Sequence, residues 1–122
     1  IANKAKADLF VSLHRNSTAT ANTTKGIEIW IHSSGSERGY AAADDILTNL
    51  EEVGITDNRG VRIGTQGDSD DDYAVIRDTD MTSMIIEMGF MTNKTEDKQM
   101  QKKQTQKKMV DGIANGIDQY FK

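Results

Sequence analysis

The 122 residues contain no cysteine, which excludes thiolate catalysis and disulfide cross-links. That absence does not separate the cytosol from an extracellular setting. No apolar run approaches the length needed to cross a bilayer, so a membrane span is excluded as well. An excess of positive charge is also missing: 15 Lys and Arg against 19 Asp and Glu give a formal net charge of -4, with both signs mixed along most of the chain. Such a surface is not built to neutralise phosphates, and nucleic acid is not an expected partner. What is present is an ordinary balance of 36% hydrophobic and 28% charged residues, in a chain long enough for one domain with a real core.

The opening "IANKAKADLFVSLH" carries no initiator methionine and no helix cap, and reads as though entered inside a helix already under way. An upstream part is expected to be missing.

Hydrophobic spacing divides the chain into strands and helices. Ala7 to Leu13, "ADLFVSL", is a short apolar run that fits a buried strand, with His14 at its exit. Arg15 to Gly26 is a polar Ser/Thr/Asn loop, and Gly26 to His32, "GIEIWIH", alternates strictly, as a strand does. Ser33 to Ser36 offer N-caps for a helix in which Tyr40, Ala43, Ile46, Leu47, Leu50 and Val53 recur at helical spacing until Gly54 stops it. Short strands are predicted at Val61 to Ile63 and Tyr73 to Arg77, with the loop "TQGDSDDD" between them. Met84 to Met88 reads as a central strand covered on both faces and closed by Gly89. The remainder carries Met109, Val110, Ile113, Ile117, Tyr120 and Phe121 at helical spacing, and "KQMQKKQTQKK" reads as its solvated face. The fold class is therefore α/β: a mostly parallel twisted sheet flanked by helices, ending in a long amphipathic helix.

In such sheets ligands collect beyond the carboxyl ends of the strands, where His14 and Glu87 both fall. Glu87 stands inside "MIIEMGF", and a carboxylate in an apolar run needs a metal, a cation or hydrogen bonds to offset its burial. A histidine with a carboxylate is the minimum kit for metal-assisted hydrolysis, yet two residues do not close a zinc site. His32 could also bind metal, but its serine and glycine neighbours favour exposed surface. Arg77 either binds an anionic substrate group or pairs with Asp78 or Asp80. "DSDDD", Asp68 to Asp72, fails as a calcium loop because Tyr73 and Thr79 stand where the turn glycine and closing glutamate belong. No nucleophile elbow and no phosphate-cradling glycine loop is found.

"ADLFVSLHRN", "GIEIWIH", "NRGVRIG", "YAVIRDTDMTSMIIEMGFMTN" and "GIANGIDQYF", in this order, resemble the zinc-dependent N-acetylmuramoyl-L-alanine amidases of the Amidase_3 type. The resemblance covers essentially the whole chain and implies a peptidoglycan hydrolase acting outside the cell or in the cell wall, of bacterial or phage origin. It implies that zinc is held by two histidines and a glutamate, His14 matching the later histidine and Glu87 the catalytic glutamate of "E-x-G-F". Asn16 is then a candidate to orient His14 or to line the groove. The motifs for the earlier histidine and the ligand glutamate are absent, so residues 1–122 are expected to be the C-terminal portion of the catalytic domain. Thr82 stands where family members commonly have proline. Two other readings stay open: a peptidoglycan-binding module without catalysis, and self-association through a truncated sheet.

Overall fold

The computed structural model describes residues 1–21, 23–64 and 73–122. The loop read as a failed calcium site, Asp68 to Asp72, lies outside the described residues. A one-turn helix α1 (Ala2–Ala5) leads into strand β1 (Leu9–Asn16), followed by β2 (Ile27–Ile31), helix α2 (Glu37–Val53) and β3 (Asn58–Ile63). A short helix α3 (Ala74–Arg77), strand β4 (Thr82–Phe90) and helices α4 (Lys94–Met100) and α5 (Lys103–Tyr120) complete the order.

Helix α2 forms where its caps and apolar spacing place it. Ser36 accepts a hydrogen bond from the Gly39 N–H, and Gly54 closes the far end at φ 73°, a left-handed conformation that glycine adopts without a Cβ penalty. Its apolar stripe, Ala42, Ala43, Ile46, Leu47 and Leu50, is fully buried.

The four strands form one sheet in the order β1-β4-β2-β3. Two pairings, β1 with β4 and β2 with β3, are parallel, as the alternating strand and helix pattern predicts. The central pairing of β2 with β4 is antiparallel, so the start of β2 meets the end of β4. Side chains alternate between the faces. Ile27, Ile29 and Ile31 of β2 and Met84 and Ile86 of β4 pack on α2 and on Met109 and Ile113 of α5. Each such fully buried side chain contributes about 1.5–3 kcal/mol through area removed from water. The opposite face carries a smaller cluster of Trp30, Ile85 and Ile76. Helices α2 and α5 touch so closely that a Cβ on Gly116 would stand 2.4 Å from the Ile46 Cα.

Four sequence expectations change. Tyr73 to Arg77 does not form a strand: Ala74 to Arg77 make a helical turn that sets Ile76 against Trp30 and Ile85. Five residues are too few for periodicity to separate the two states, and here Tyr73 also meets Trp30 edge-on, at 5.8 Å between ring centroids. The C-terminal helix is divided, α4 ending before Lys102 and α5 starting at Lys103, with Asn93 capping α4 through the N–H groups of Thr95 and Glu96. Val110 and Phe121, counted on its apolar face, are exposed. Gly89 does not close β4, because the strand continues through it at φ 87° to Phe90.

Candidate active site

The sheet register builds the site. His14 is the partner of Glu87 across the parallel β1 and β4 pair, and Glu28 is the partner of Glu87 across the antiparallel β2 and β4 pair. Opposed residues in a ladder share a face, so His14, Glu87 and Glu28 form a row across three strands, on the face away from α2 and α5. The expectation that His14 and Glu87 share one sheet edge holds.

The members of the row differ in how they are satisfied. Glu28 is 3% exposed and fully partnered. Its Oε1 accepts from Asn16 Nδ2 at 2.7 Å and from Trp30 Nε1 at 3.1 Å, and its Oε2 accepts from Arg59 Nε at 3.1 Å. Glu87 is the opposite case: its Oε2 is buried and has no hydrogen-bond partner. Burial pushes the Glu87 carboxyl above the usual carboxylate range, His14 partly offsets the rise, and the negative Glu28 adds to it. His14 is exposed, and its Nε2 lies 2.7 Å from Ser12 Oγ on the same strand face. Its Nδ1 has no hydrogen-bond partner among the described residues.

The other predicted site residues lie elsewhere or act differently. Asn16 does not orient His14; it is buried and bonded to Glu28, because a register shift between His14 and Asn16 pairs it with Phe90. Arg77 is on a helical turn, not a strand, and its guanidinium engages Asp78 at 2.8 and 3.1 Å. The following residues are tied to Asn3, which donates to the Asp78 carbonyl and accepts from the Asp80 N–H. That places Arg77 where β1 and β4 begin, away from Glu87. His32 is exposed at the far end of β2, where its Nδ1 accepts from the Ser34 N–H at 3.0 Å.

Sequence reasoning missed Glu28, Arg59 and Ser12. A signal for Glu28 was present: "GIEIW" places a carboxylate in an apolar strand, the same anomaly as Glu87. It also missed Glu96, a buried carboxylate that accepts from the Gly26 N–H at 3.0 Å, the Phe90 N–H at 2.7 Å and Thr56 Oγ at 2.5 Å. Glu96 thus joins the start of β2, the approach to β3 and the end of β4, and a Cβ on Gly89 would stand 2.9 Å from its Cδ.

A sequence model of the N-acetylmuramoyl-L-alanine amidase family, Amidase_3, matches residues 1–119. The chain belongs to this family. It is 34% identical over 117 residues to the Bacillus subtilis protein YqiI, covering 95% of this chain and 52% of that protein. Among solved structures it resembles the catalytic domain of CwlV, an N-acetylmuramoyl-L-alanine amidase from Bacillus (Paenibacillus) polymyxa var. colistinus, with a TM-score of 0.83 and 28% identity over 98% of this chain and 61% of that one. The N-acetylmuramoyl-L-alanine amidase of Clostridium difficile 630 matches with a TM-score of 0.88 and 26% identity, again over 98% and 61%. The chain thus spans about half the length of YqiI.

The amidase family implies zinc, and the row fits it in part. The His14 imidazole, its Nε2 2.7 Å from the Ser12 hydroxyl, has the chemistry of a zinc ligand, and the Glu87 oxygen without a partner has that of a base beside it. Among the described residues no group of three or more His, Asp or Glu is placed to hold a metal. A catalytic zinc site needs three protein ligands. No helix among the described residues is long and apolar enough to cross a membrane.

Proposed function

We propose that this chain is the C-terminal portion of the catalytic domain of a zinc-dependent amidase, a peptidoglycan hydrolase. The bond cut is the amide between the lactyl group of N-acetylmuramic acid and the L-alanine of the stem peptide. The reading is carried by Glu87 Oε2, buried, without a partner and in one row with His14. Zinc, which His14 would help to hold, would supply a polarised carbonyl and a more acidic attacking water. Glu87, with its unpartnered oxygen, is placed to take a proton from an attacking water and to pass it to the departing alanine nitrogen, and the burial that raises its pKa suits it to both transfers. Asn16 serves one strand away, holding Glu28. The other zinc ligands come, in this reading, from outside residues 1–122. The substrate sets the workplace at the cell wall, in a bacterium's own remodelling, in sporulation or in phage lysis.

The test uses a longer protein containing these residues, loaded with zinc and incubated with purified muropeptides. Mass spectrometry is expected to show release of stem peptides beginning with L-alanine, and intact muropeptides would overturn the reading. Glu87→Gln is expected to cut turnover about a hundred- to ten-thousand-fold with zinc content unchanged. Equal activity removes Glu87 from the mechanism.

The second reading, a peptidoglycan-binding module without catalysis, is favoured by the lack of a three-donor cluster among the described residues. Stoichiometric zinc in the purified protein contradicts it. Self-association also remains a proposal, supported by the edge positions of β1 and β3. Light scattering that finds only monomer at high concentration disposes of it.

A further inference from the structure

The row of His14, Glu87 and Glu28 does not end at β2. Beside Glu28 stands the edge strand β3, which brings two arginines to the same carboxylate. Arg59 Nε lies 3.1 Å and Arg62 Nε 3.7 Å from Glu28 Oε2, with side chains 33% and 45% exposed against 4% for Glu28. A structural network needs only the first of these. Asn16, Trp30 and Arg59 already satisfy both oxygens of Glu28, while Arg62 stands beyond hydrogen-bonding distance. Among the described residues neither arginine has a further hydrogen-bonded or ionic partner. The terminal nitrogens of both guanidinium groups are therefore donors without acceptors among the described residues.

Arg59 is also held in place before any ligand arrives. Its Cγ and Cδ occupy the space that a Cβ on Gly26 would need, 2.7 and 2.8 Å away, and Gly26 itself adopts φ 120°. Its guanidinium carbon lies 5.2 Å from the centroid of the Phe90 ring. A fixed, half-exposed guanidinium with free donors beside a second one is suited to a planar anion, and in particular to a carboxylate.

We propose that Arg59 and Arg62 form a subsite for a free carboxylate of the stem peptide, which fixes the direction of the substrate across the sheet. The proposal rests on the amidase reading. Strands lie about 4.8 Å apart, so the arginine strand is about 10 Å from the Glu87 strand. An extended peptide covers that distance in about three residues. With the scissile amide at His14 and Glu87, the sugar lies toward β1 and the peptide runs over β2 to β3. The carboxylate it brings there belongs to one of the first three residues beyond the cut, the side of L-alanine that carries D-glutamate.

The test measures binding, so it does not depend on turnover. The longer zinc-loaded protein carrying Glu87→Gln is titrated calorimetrically with N-acetylmuramoyl-L-alanyl-D-glutamate whose γ-carboxyl is capped as an amide, leaving the α-carboxylate free, and with the same compound in which the α-carboxyl is amidated as well. The free acid is expected to bind about tenfold more tightly, the contribution of charge-assisted hydrogen bonds, and the preference should shrink as salt is raised. Adding Arg62→Gln is expected to remove the preference while affinity for the diamide stays the same. Adding Arg62→Lys is expected to retain part of it. Glu28 keeps its three hydrogen-bond partners in both variants, so their thermal unfolding should match the parent. A preference that survives Arg62→Gln, or equal loss for both ligands, overturns the subsite and leaves the amidase reading standing. Failure of both ligands to bind the parent overturns the amidase reading, and the subsite with it.

Discussion

Glu28 and Glu87 face one another as partners across the antiparallel β2 and β4 ladder, and one is saturated with hydrogen bonds where the other has an oxygen with none. Two neighbouring carboxylates are thus held in unlike surroundings. Burial disfavours the charged form of Glu87, and the fixed negative charge opposite adds to the effect.

Removing that charge should be visible. In the metal-free protein, Glu28→Gln is expected to lower the titration midpoint of Glu87, followed through its carboxyl carbon by NMR. The midpoint should still exceed the ordinary glutamate value of 4.5, since burial is the larger cause. An unchanged midpoint would show that Glu28 does not act on Glu87.

The same shift ties folding to pH. A carboxyl whose pKa is higher folded than unfolded binds its proton more tightly in the native state. Its contribution to stability is thus fully present below the ordinary glutamate value of 4.5 and is lost as pH rises through the raised value. Denaturant unfolding of the metal-free protein is expected to show this loss over the window just above 4.5. Glu87→Gln should flatten the profile there, and a profile with the same slope in both proteins contradicts the assignment.

Gly116 offers a packing test far from the site. A Cβ there meets the backbone of Ile46 at 2.4 Å, and backbone cannot swing aside as a side chain can. Gly116→Ala should destabilise by about 1–3 kcal/mol through forced separation of α2 and α5. Gly112→Ala meets the Val53 Cγ2 first, at 3.1 Å, and should cost less in the same urea titration.

Glu96 should prove structural despite lying near the site. Glu96→Ala leaves the Gly26 and Phe90 N–H groups buried without acceptors, at about 1–3 kcal/mol each. Urea unfolding is expected to register the loss, and Glu96→Gln should recover part of it, since one amide oxygen can still accept. A Glu96→Ala protein of unchanged stability would contradict the role.

Much of this architecture was legible from residue spacing. The alternation of "GIEIWIH", the caps around Ile46 and Leu50, and the apolar run through Ile86 each follow from a local period, and β2, α2 and β4 are found there. His14 and Glu87 were placed together by the rule for strand ends, and the ladder makes them partners. Local periods say nothing about strand direction. That β2 runs against β4 is decided by the packing of the whole sheet, and only this brings Glu28 to Glu87 and Arg59 to Glu28. That Asn16 bonds Glu28 is hidden for a related reason: the register shift beside Gly89 depends on the partner strand, not on the sequence around Asn16. The Tyr73 to Arg77 segment was too short to carry a period at all.

The two faces of the sheet divide the labour of the molecule. One is sealed by Ile27, Ile29, Ile31, Met84 and Ile86 against α2 and α5, and the other bears the row from His14 to Arg59. Because neighbouring residues of a strand point to opposite faces, Glu28 sits directly between Ile27 and Ile29, and Glu87 between Ile86 and Met88, residues that hold the fold. Variation can then accumulate on alternate letters of the same short strands, retuning what the surface recognises while the residues in between keep the molecule folded.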